Sequence, residues 1–424
     1  MSLFEELTWR GFIHQVTHND LAERLETQSF TAYVGFDPTA DSLHIGHLLP
    51  VIGLMRLQRF GHRPIALVGG GTGMIGDPSF KSEERRLLSS EDIDRNAAGV
   101  RAQLERFLDF SGPRGALLLN NLEWLGELRL IDFLRDIGKL FSVNVMMARE
   151  SVKQRLENRD QGISFTEFTY SLLQAYDFLH LCQTHDCRIQ MGGSDQWGNI
   201  VAGMDLTRRL ENKDTYGITF PLLEKSDGTK FGKTEAGAVW LDPKRTSPYK
   251  FYQFWINQAD ADTSRLLRLF TFLSREEVEG LDGELREAPE KRTAQRRLAE
   301  EVTRLVHGDD ALNQAVHASQ AMFGGSLSGL DDATLEDIFS EVPSSDVPRD
   351  ALSANRLLLD VLVESAVVKS KGEGKRLVQN GGLYLNNERV TQEDARLSAD
   401  SLCGERIAVI RSGKKNYHLL RFVG

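Results

Sequence analysis

The chain runs to 424 residues, enough for two or three domains with a proper core, and its 41% hydrophobic and 26% charged residues are ordinary for a soluble globular protein. A net charge of −10 argues against a surface coated throughout for nucleic acid, and no apolar run is long enough to cross a bilayer. Three cysteines, Cys182, Cys187 and Cys403, are too few for a disulfide framework, and the N-terminus shows neither secretory signal nor transit peptide, so a cytoplasmic protein is expected.

From residue 30 to about residue 221, strand-like runs at 32–36, 64–69, 116–120 and 188–192 alternate with amphipathic segments such as 43–60 and 93–108. Alternation of this kind predicts a parallel sheet with helices on both faces, and ligands bind such sheets beyond the carboxyl ends of the strands. His44, Asp77 and Asp195 each follow a predicted strand and are expected to converge there.

The first strand leads into Asp37-Pro38-Thr39-Ala40-Asp41-Ser42-Leu43-His44-Ile45-Gly46-His47. Asp41 and Ser42 are the expected N-caps of the following helix, and Gly61 stands at its expected stop. His44 and His47 then project from one face of the first turn, where free backbone N–H groups favour an anion. Taken alone, they read equally well as two surface histidines.

Gly71, Gly73 and Gly76 match a dinucleotide fingerprint, but residues 81–108 are charged and helical where its second strand and terminal acid belong. The cluster from Gly69 to Gly76 is expected instead to let backbone approach some other ligand. Further on, Tyr170, Gln174 and Asp177 fall on one face of a helix predicted over 165–179. The bland reading is a polar stripe facing water; a row of phenol, amide and carboxylate also suits a small molecule with several hydrogen-bonding groups. His180, Cys182, His185 and Cys187 crowd one helix-to-strand connection, unlike the separated ligand pairs of structural zinc sites, so no metal site is expected.

An Asp227-Gly228 turn precedes Lys230-Phe231-Gly232-Lys233-Thr234, a glycine-rich loop with two lysines. In isolation these are solvated loop lysines; with a helix start bearing two histidines they are a way to hold a triphosphate. Residues 247–323 read as helices at 249–257, 262–272, 275–281, 291–307 and 310–322. The stretch 331–350, acidic and broken by Pro343 and Pro348, reads as a linker. Helices near 351–364 and 372–380 follow, then a hairpin around Asn386-Asn387. From residue 365 onward eleven bases face six acids, a basic appendage on an acidic body that points to a polyanion handled locally.

Taken together, His44-Ile45-Gly46-His47 and Lys230-Phe231-Gly232-Lys233-Thr234 resemble the two signatures of the class I aminoacyl-tRNA synthetases. Tyr33-Val34-Gly35-Phe36-Asp37-Pro38-Thr39, Gly73-Met74-Ile75-Gly76-Asp77-Pro78-Ser79 and Gly192-Gly193-Ser194-Asp195-Gln196-Trp197-Gly198-Asn199 resemble the bacterial tyrosyl-tRNA synthetases within that class. The likeness spans essentially the whole chain. It implies an α/β fold with a Rossmann-like parallel-sheet catalytic domain at 1–221, and the lysine loop with an α-helical domain at 222–325. A linker at 326–350 and a small α+β S4-like RNA-binding domain at 351–424 would follow.

The resemblance also implies roles. Tyr33 and Asp177 would bind the substrate phenol, and Asp77, Tyr170 and Gln174 its ammonium group. Gly35, Asp37, Thr39, Gly46, Gly193, Asp195 and Gln196 would contact ATP or the adenylate. Thr39, His44, His47, Lys230, Lys233 and Thr234 would bind the departing phosphates. Lys369, Lys371, Lys375, Arg376, Lys414 and Lys415 would contact RNA. Val34 replaces a cysteine found near the ribose in some members, and the second signature carries Phe-Gly and threonine in place of Met-Ser and serine. The implied partners are L-tyrosine, ATP with Mg2+ and tRNA(Tyr), with no protein-bound cofactor and no membrane. The family is a homodimer whose contact the apolar segment 125–147 would form, although such helices are more often core. The sister enzyme for tryptophan is the nearest rival, but Asp177 with Tyr33 offers more than an indole's single donor can use.

Overall fold

The computed structural model describes residues 1–79, 88–157, 162–234, 237–321, 324–413 and 416–424. Six strands form the main sheet: β1 (Gln15–Val16), β2 (Thr31–Phe36), β3 (Arg63–Val68), β4 (Leu117–Asn120), β5 (Cys187–Gly193) and β6 (Tyr216–Phe220). Their order is β1-β6-β5-β2-β3-β4, parallel except for β1 against β6. The central strands are nearly continuous apolar runs, and Ala32, Val34, Ile65, Ala66, Ile189 and Met191 are all buried. Helices must therefore cover both faces, as parallel sheets require. Chain order reverses beside β2, so the β2–β5 junction is the switch point where a crevice opens.

Helix α1 (Leu3–Arg10) begins the chain, and α2 (Ile45–Arg59) follows β2. Next come α3 (Gly70–Ile75), α4 (Ser90–Leu104), α5 (Phe165–His185) and α6 (Trp197–Glu211). One expectation fails at the start of α2, where His44, not Asp41 or Ser42, is the N-cap. Ser42 is already committed: its hydroxyl donates to the Leu43 carbonyl and accepts from Gln103 and the Asp242 N–H. In the glycine cluster the close approaches are to the protein's own side chains. A Cβ on Gly69 would lie 2.1 Å from the Asp37 carboxylate and one on Gly70 2.3 Å from Asn120, so these glycines admit the protein's own polar side chains.

The helical stretch does not hold together as one body. The chain divides into a unit of Met1–Asp242 with Ala259–Glu287 and a second of Pro243–Gln258 with Ala288–Gly424. Helix α7 (Pro248–Ile256) belongs to the second unit, whereas α8 (Asp260–Phe270) and the helix Arg275–Glu287 return to the first. In the second unit α7 packs on α9 (Thr293–His307) and on the helix Asp309–Ala321.

The expected linker is a correction. Residues 331–350 carry a helix, Asp332–Ile338, N-capped by Asp331, and strand β9 (Ser344–Pro348). β9 joins a sheet with β10 (Leu383–Leu385), β11 (Glu388–Arg389), β12 (Ile407–Ser412) and β13 (Asn416–Val423), in the order β11-β10-β12-β13-β9. Prolines fit because β9 lies at the edge, where a missing N–H breaks no ladder. The hairpin turn at Asn386 and Asn387 has φ of 53° and 65°, the left-handed pair that a two-residue turn demands. The helix expected near 351–364 is shorter, Leu358–Glu364, preceded by a break at Asn355 with φ 52°.

Candidate active site

Asp37 follows β2 directly, Asn121 follows β4 and Asp195 follows β5, so two polar groups sit at the carboxyl ends of adjacent strands and a third two strands along, past β3. Helix α5 adds its face of Tyr170, Gln174 and Asp177. The Tyr170 hydroxyl donates to Asp37 at 2.8 Å, and the Thr72 hydroxyl donates to the other Asp37 oxygen at 2.7 Å. The Asn121 amide donates to Thr72 and to Asp177, both at 2.9 Å. The indole N–H of Trp124 reaches the second Asp177 oxygen at 2.8 Å.

A second cluster centres on Gln196. Its amide N–H groups reach Asp77 at 2.7 Å and Asp195 at 3.0 Å, while its oxygen accepts from Gln174 at 3.3 Å and Asn199 at 3.1 Å. Two atoms stand out against these satisfied groups. Among the described residues, the buried Tyr33 hydroxyl and the buried Gln174 carbonyl oxygen meet no hydrogen-bond partner. A buried polar group without a partner costs about 1–3 kcal/mol, and at a crevice a bound water or a polar ligand group satisfies it.

The electrostatics follow from burial. Asp177 is 2% exposed, and desolvation lifts its carboxyl to about pH 7 in spite of the bonds from Asn121 and Trp124. Burial first and the Asp177 charge second hold the Tyr33 phenol well above its ordinary range. Tyr170 is pushed the same way, by burial and then by Asp37 and Asp77.

At the start of α2 the His44 ring accepts the Gly46 N–H at 3.0 Å, and the His47 ring accepts the His44 N–H at 3.2 Å, each through Nδ1. The expectation of free backbone N–H groups is thus corrected: the imidazoles take those of His44 and Gly46, the Val239 carbonyl takes that of Ile45, and the His44 carbonyl takes that of His47. An accepting Nδ1 puts the neutral ring's proton on Nε2, so each histidine carries a donor there. The rings stack at 3.9 Å, and Trp240 meets His44 edge-on at 5.9 Å.

The second signature comes to this helix start through backbone. Val239 accepts the Ile45 N–H at 3.0 Å, Leu43 accepts the Leu241 N–H at 2.8 Å, and Gly232 accepts the Val239 N–H at 3.1 Å. Gly232 takes φ +82°, and a Cβ there would lie 3.6 Å from Ile45, so the loop's bend rests on the helix's first residue. Lys230 and Lys233 are exposed, and β7 (Lys233–Thr234) pairs with β8 (Gly237–Ala238). Gly35 and Thr39 are exposed near the end of β2, Gly46 is exposed in the first turn of α2, and Gly193 ends β5.

The basic appendage belongs to the second unit. Lys369, Lys371, Lys375 and Arg376 are exposed at the helix Lys371–Gln379, but Lys371 pairs with Asp360 at 2.6 Å and Lys375 with Glu393 at 3.2 Å. Lys414 and Lys415 lie outside the described residues. Sequence reasoning missed Thr72, Asn121 and Trp124. Asn121 carried a signal, for it stands just past a predicted strand where the sheet places ligands. Trp124 carried none. Among the described residues, no group of three or more histidine, cysteine or acidic side chains is placed to hold a metal ion, and no helix is long and apolar enough to cross a membrane.

A parallel sheet with this switch point, a histidine-bearing helix start and a lysine loop beside it define a nucleotide-handling class. The family model of the tRNA synthetases class I (W and Y) matches residues 25–324, and the chain belongs to that family. Its tyrosine branch is indicated by a second model, the tyrosine--tRNA ligase SYY-like C-terminal domain, over residues 334–420. The tyrosine--tRNA ligases of Roseiflexus castenholzii and Geobacillus stearothermophilus are 53% and 52% identical, each comparison covering 100% of this chain and of the relative. The C-terminally truncated mitochondrial tyrosyl-tRNA synthetase of Aspergillus nidulans superposes with a TM-score of 0.69 at 32% identity, over 76% of this chain and 94% of that one.

Proposed function

We infer that this chain activates L-tyrosine with ATP and then joins it to tRNA(Tyr). A tyrosine carboxylate oxygen attacks the α-phosphorus, the bond to the β-phosphate breaks, and pyrophosphate leaves. The carboxylate is already a nucleophile, so no general base is needed. What must be stabilised is charge on the departing pyrophosphate, a task for positioning and electrostatics. In the second step a hydroxyl of the terminal ribose of tRNA attacks the tyrosyl carbonyl, and AMP leaves.

The observation that carries this reading is Asp177, locked by Asn121 and Trp124 beside the unpaired Tyr33 hydroxyl. A phenol donating to Asp177 and accepting from Tyr33 satisfies both. Phenylalanine leaves the Tyr33 hydroxyl buried and unpaired and gives Asp177 no donor beyond Asn121 and Trp124, and sites built around a hydroxyl reject the analogue lacking it by about 10⁴–10⁵. Gln174, Asp77 and Tyr170 then face the ammonium group. Gly35, Asp37, Gly193, Asp195 and Gln196 hold the adenylate, and Thr39, His44, Gly46, His47, Lys230, Lys233 and Thr234 the phosphates. Mg2+ enters with ATP, held by its phosphates. The second unit's basic helix would engage tRNA.

The remaining parts of the reading concern assembly and place. Leu130, Ile131, Val143 and Val145 are 68%, 73%, 56% and 62% exposed, an apolar face that a second copy would cover in a homodimer; sedimentation should give twice the chain mass. Three free thiols suit a reducing cytoplasm. Pyrophosphate exchange across the twenty amino acids tests the chemistry. Exchange with tyrosine alone is expected; exchange with tryptophan alone, or with none, overturns the assignment.

A further inference from the structure

The lysine signature grows from a short two-stranded hairpin. The Phe231 N–H reaches the Leu223 carbonyl at 3.2 Å, the Lys225 N–H reaches Thr229 at 2.8 Å, and the Gly228 N–H closes the turn onto Lys225 at 2.9 Å. Glu224 and Lys230 face each other across it. A two-stranded ribbon of this size is marginal in water and needs an outside support.

Helix α8 supplies one at three points. Asp262, 4% exposed, accepts the Ser226 N–H with both oxygens at 3.1 Å and the Ser226 hydroxyl at 3.1 Å. Arg265 donates to the Glu224 carbonyl and pairs with Asp262 at 3.4 Å. Phe231, inside the signature, stacks on Phe270 at 5.8 Å. The far end of α8 is fixed as firmly. The carbonyls of Thr271 and Leu273 take guanidinium bonds from Arg10 of α1, and Arg56 of α2 also bonds Thr271. Glu6 joins the two arginines, pairing with Arg10 and, at 2.7 Å, with Arg56. Arg56 belongs to the helix that begins at His44. One helix therefore connects the body carrying the first signature to the root of the second.

We propose that α8 is a strut setting the position of Lys230 and Lys233 against His44 and His47, and that Asp262 is the positioning residue through which it holds the lysine hairpin. The proposal rests on the reading of the site as a pyrophosphate-releasing centre. It follows that Asp262 matters when the phosphates depart and not when tyrosine binds. An acid in a helix's first turn often serves only that helix's dipole; here both carboxylate oxygens are turned on a residue 36 positions away.

Asp262→Asn sets an amide donor against the Ser226 N–H. Ser226→Pro removes that N–H and the hydroxyl without touching α8, at a turn position that proline accepts. Both variants are expected to lower the turnover of tyrosine-dependent pyrophosphate exchange by about tenfold and leave the tyrosine dissociation constant within about twofold. In a Lys233→Ala background Asp262→Asn should add less than about twofold, because groups acting through one another are not additive. Unchanged turnover, an equal loss of tyrosine binding, or a full additional loss in the Lys233→Ala background overturns the strut. No exchange by the unaltered protein removes the underlying reading, and the strut with it; exchange by that protein alongside unaffected variants removes the strut alone.

Discussion

Asp177 shows how a single side chain joins specificity to stability. Its carboxyl titrates near pH 7 when folded, against an ordinary value of 3.8. Between those values the folded chain holds a proton that the unfolded chain gives up. Stability from this group therefore falls as pH rises from about 4 to about 7, by at most about 1.4 kcal/mol per pH unit. Urea unfolding of the unliganded protein should lose stability across that window relative to an Asp177→Asn variant; parallel curves would show that the carboxyl is not so perturbed. Of this arrangement the sequence disclosed Tyr33, Tyr170, Gln174 and Asp177, because motif and helical spacing expose them. Trp124 escaped, since nothing in its own neighbourhood records that its indole reaches 2.8 Å to a carboxylate 53 positions later.

Among the elements, the start of α2 and the hairpin of the second signature act together. A lysine on a loop that meets the phosphates chiefly as they depart raises turnover more than affinity. Lys233→Ala should lower pyrophosphate-exchange turnover by about a hundredfold or more, with tyrosine binding within about twofold; equal losses would place the lysine in ground-state binding. The local sequence named both motifs and most helices to within a few residues. It misplaced the cap of α2 because the competing use of Ser42, a bond from the Asp242 N–H, comes from 200 positions away. The linker reading of 331–350 failed for a related reason. Acid and proline content does mark exposed backbone, and an edge strand is exposed too.

For the molecule as a whole, that correction moves the boundary at which the chain can be cut. Leu335, Ile338 and Phe339 pack with Ile407, Val409 and Leu419, so a truncation after residue 350 would leave a helix and β9 without their sheet. Ending the chain after Gly324 removes that helix and β9 together with the sheet and leaves Ala318 and Ala321 of the same cluster uncovered. That shorter form should keep tyrosine-dependent pyrophosphate exchange and lose tRNA charging, whereas the longer one should aggregate. If the longer form is the better behaved, or if both activities vanish in the shorter, the second unit supports the catalytic body directly.

The strand order has a further consequence for synthesis. β2 is flanked by β3, made soon after it, and by β5, which the ribosome delivers only at Cys187–Gly193. At about 5–20 residues per second the nascent chain carries one side of its middle strand unpaired for on the order of ten seconds. Shielding by trigger-type chaperones would matter most in that interval, and slowing translation between the two strands should lower the soluble yield.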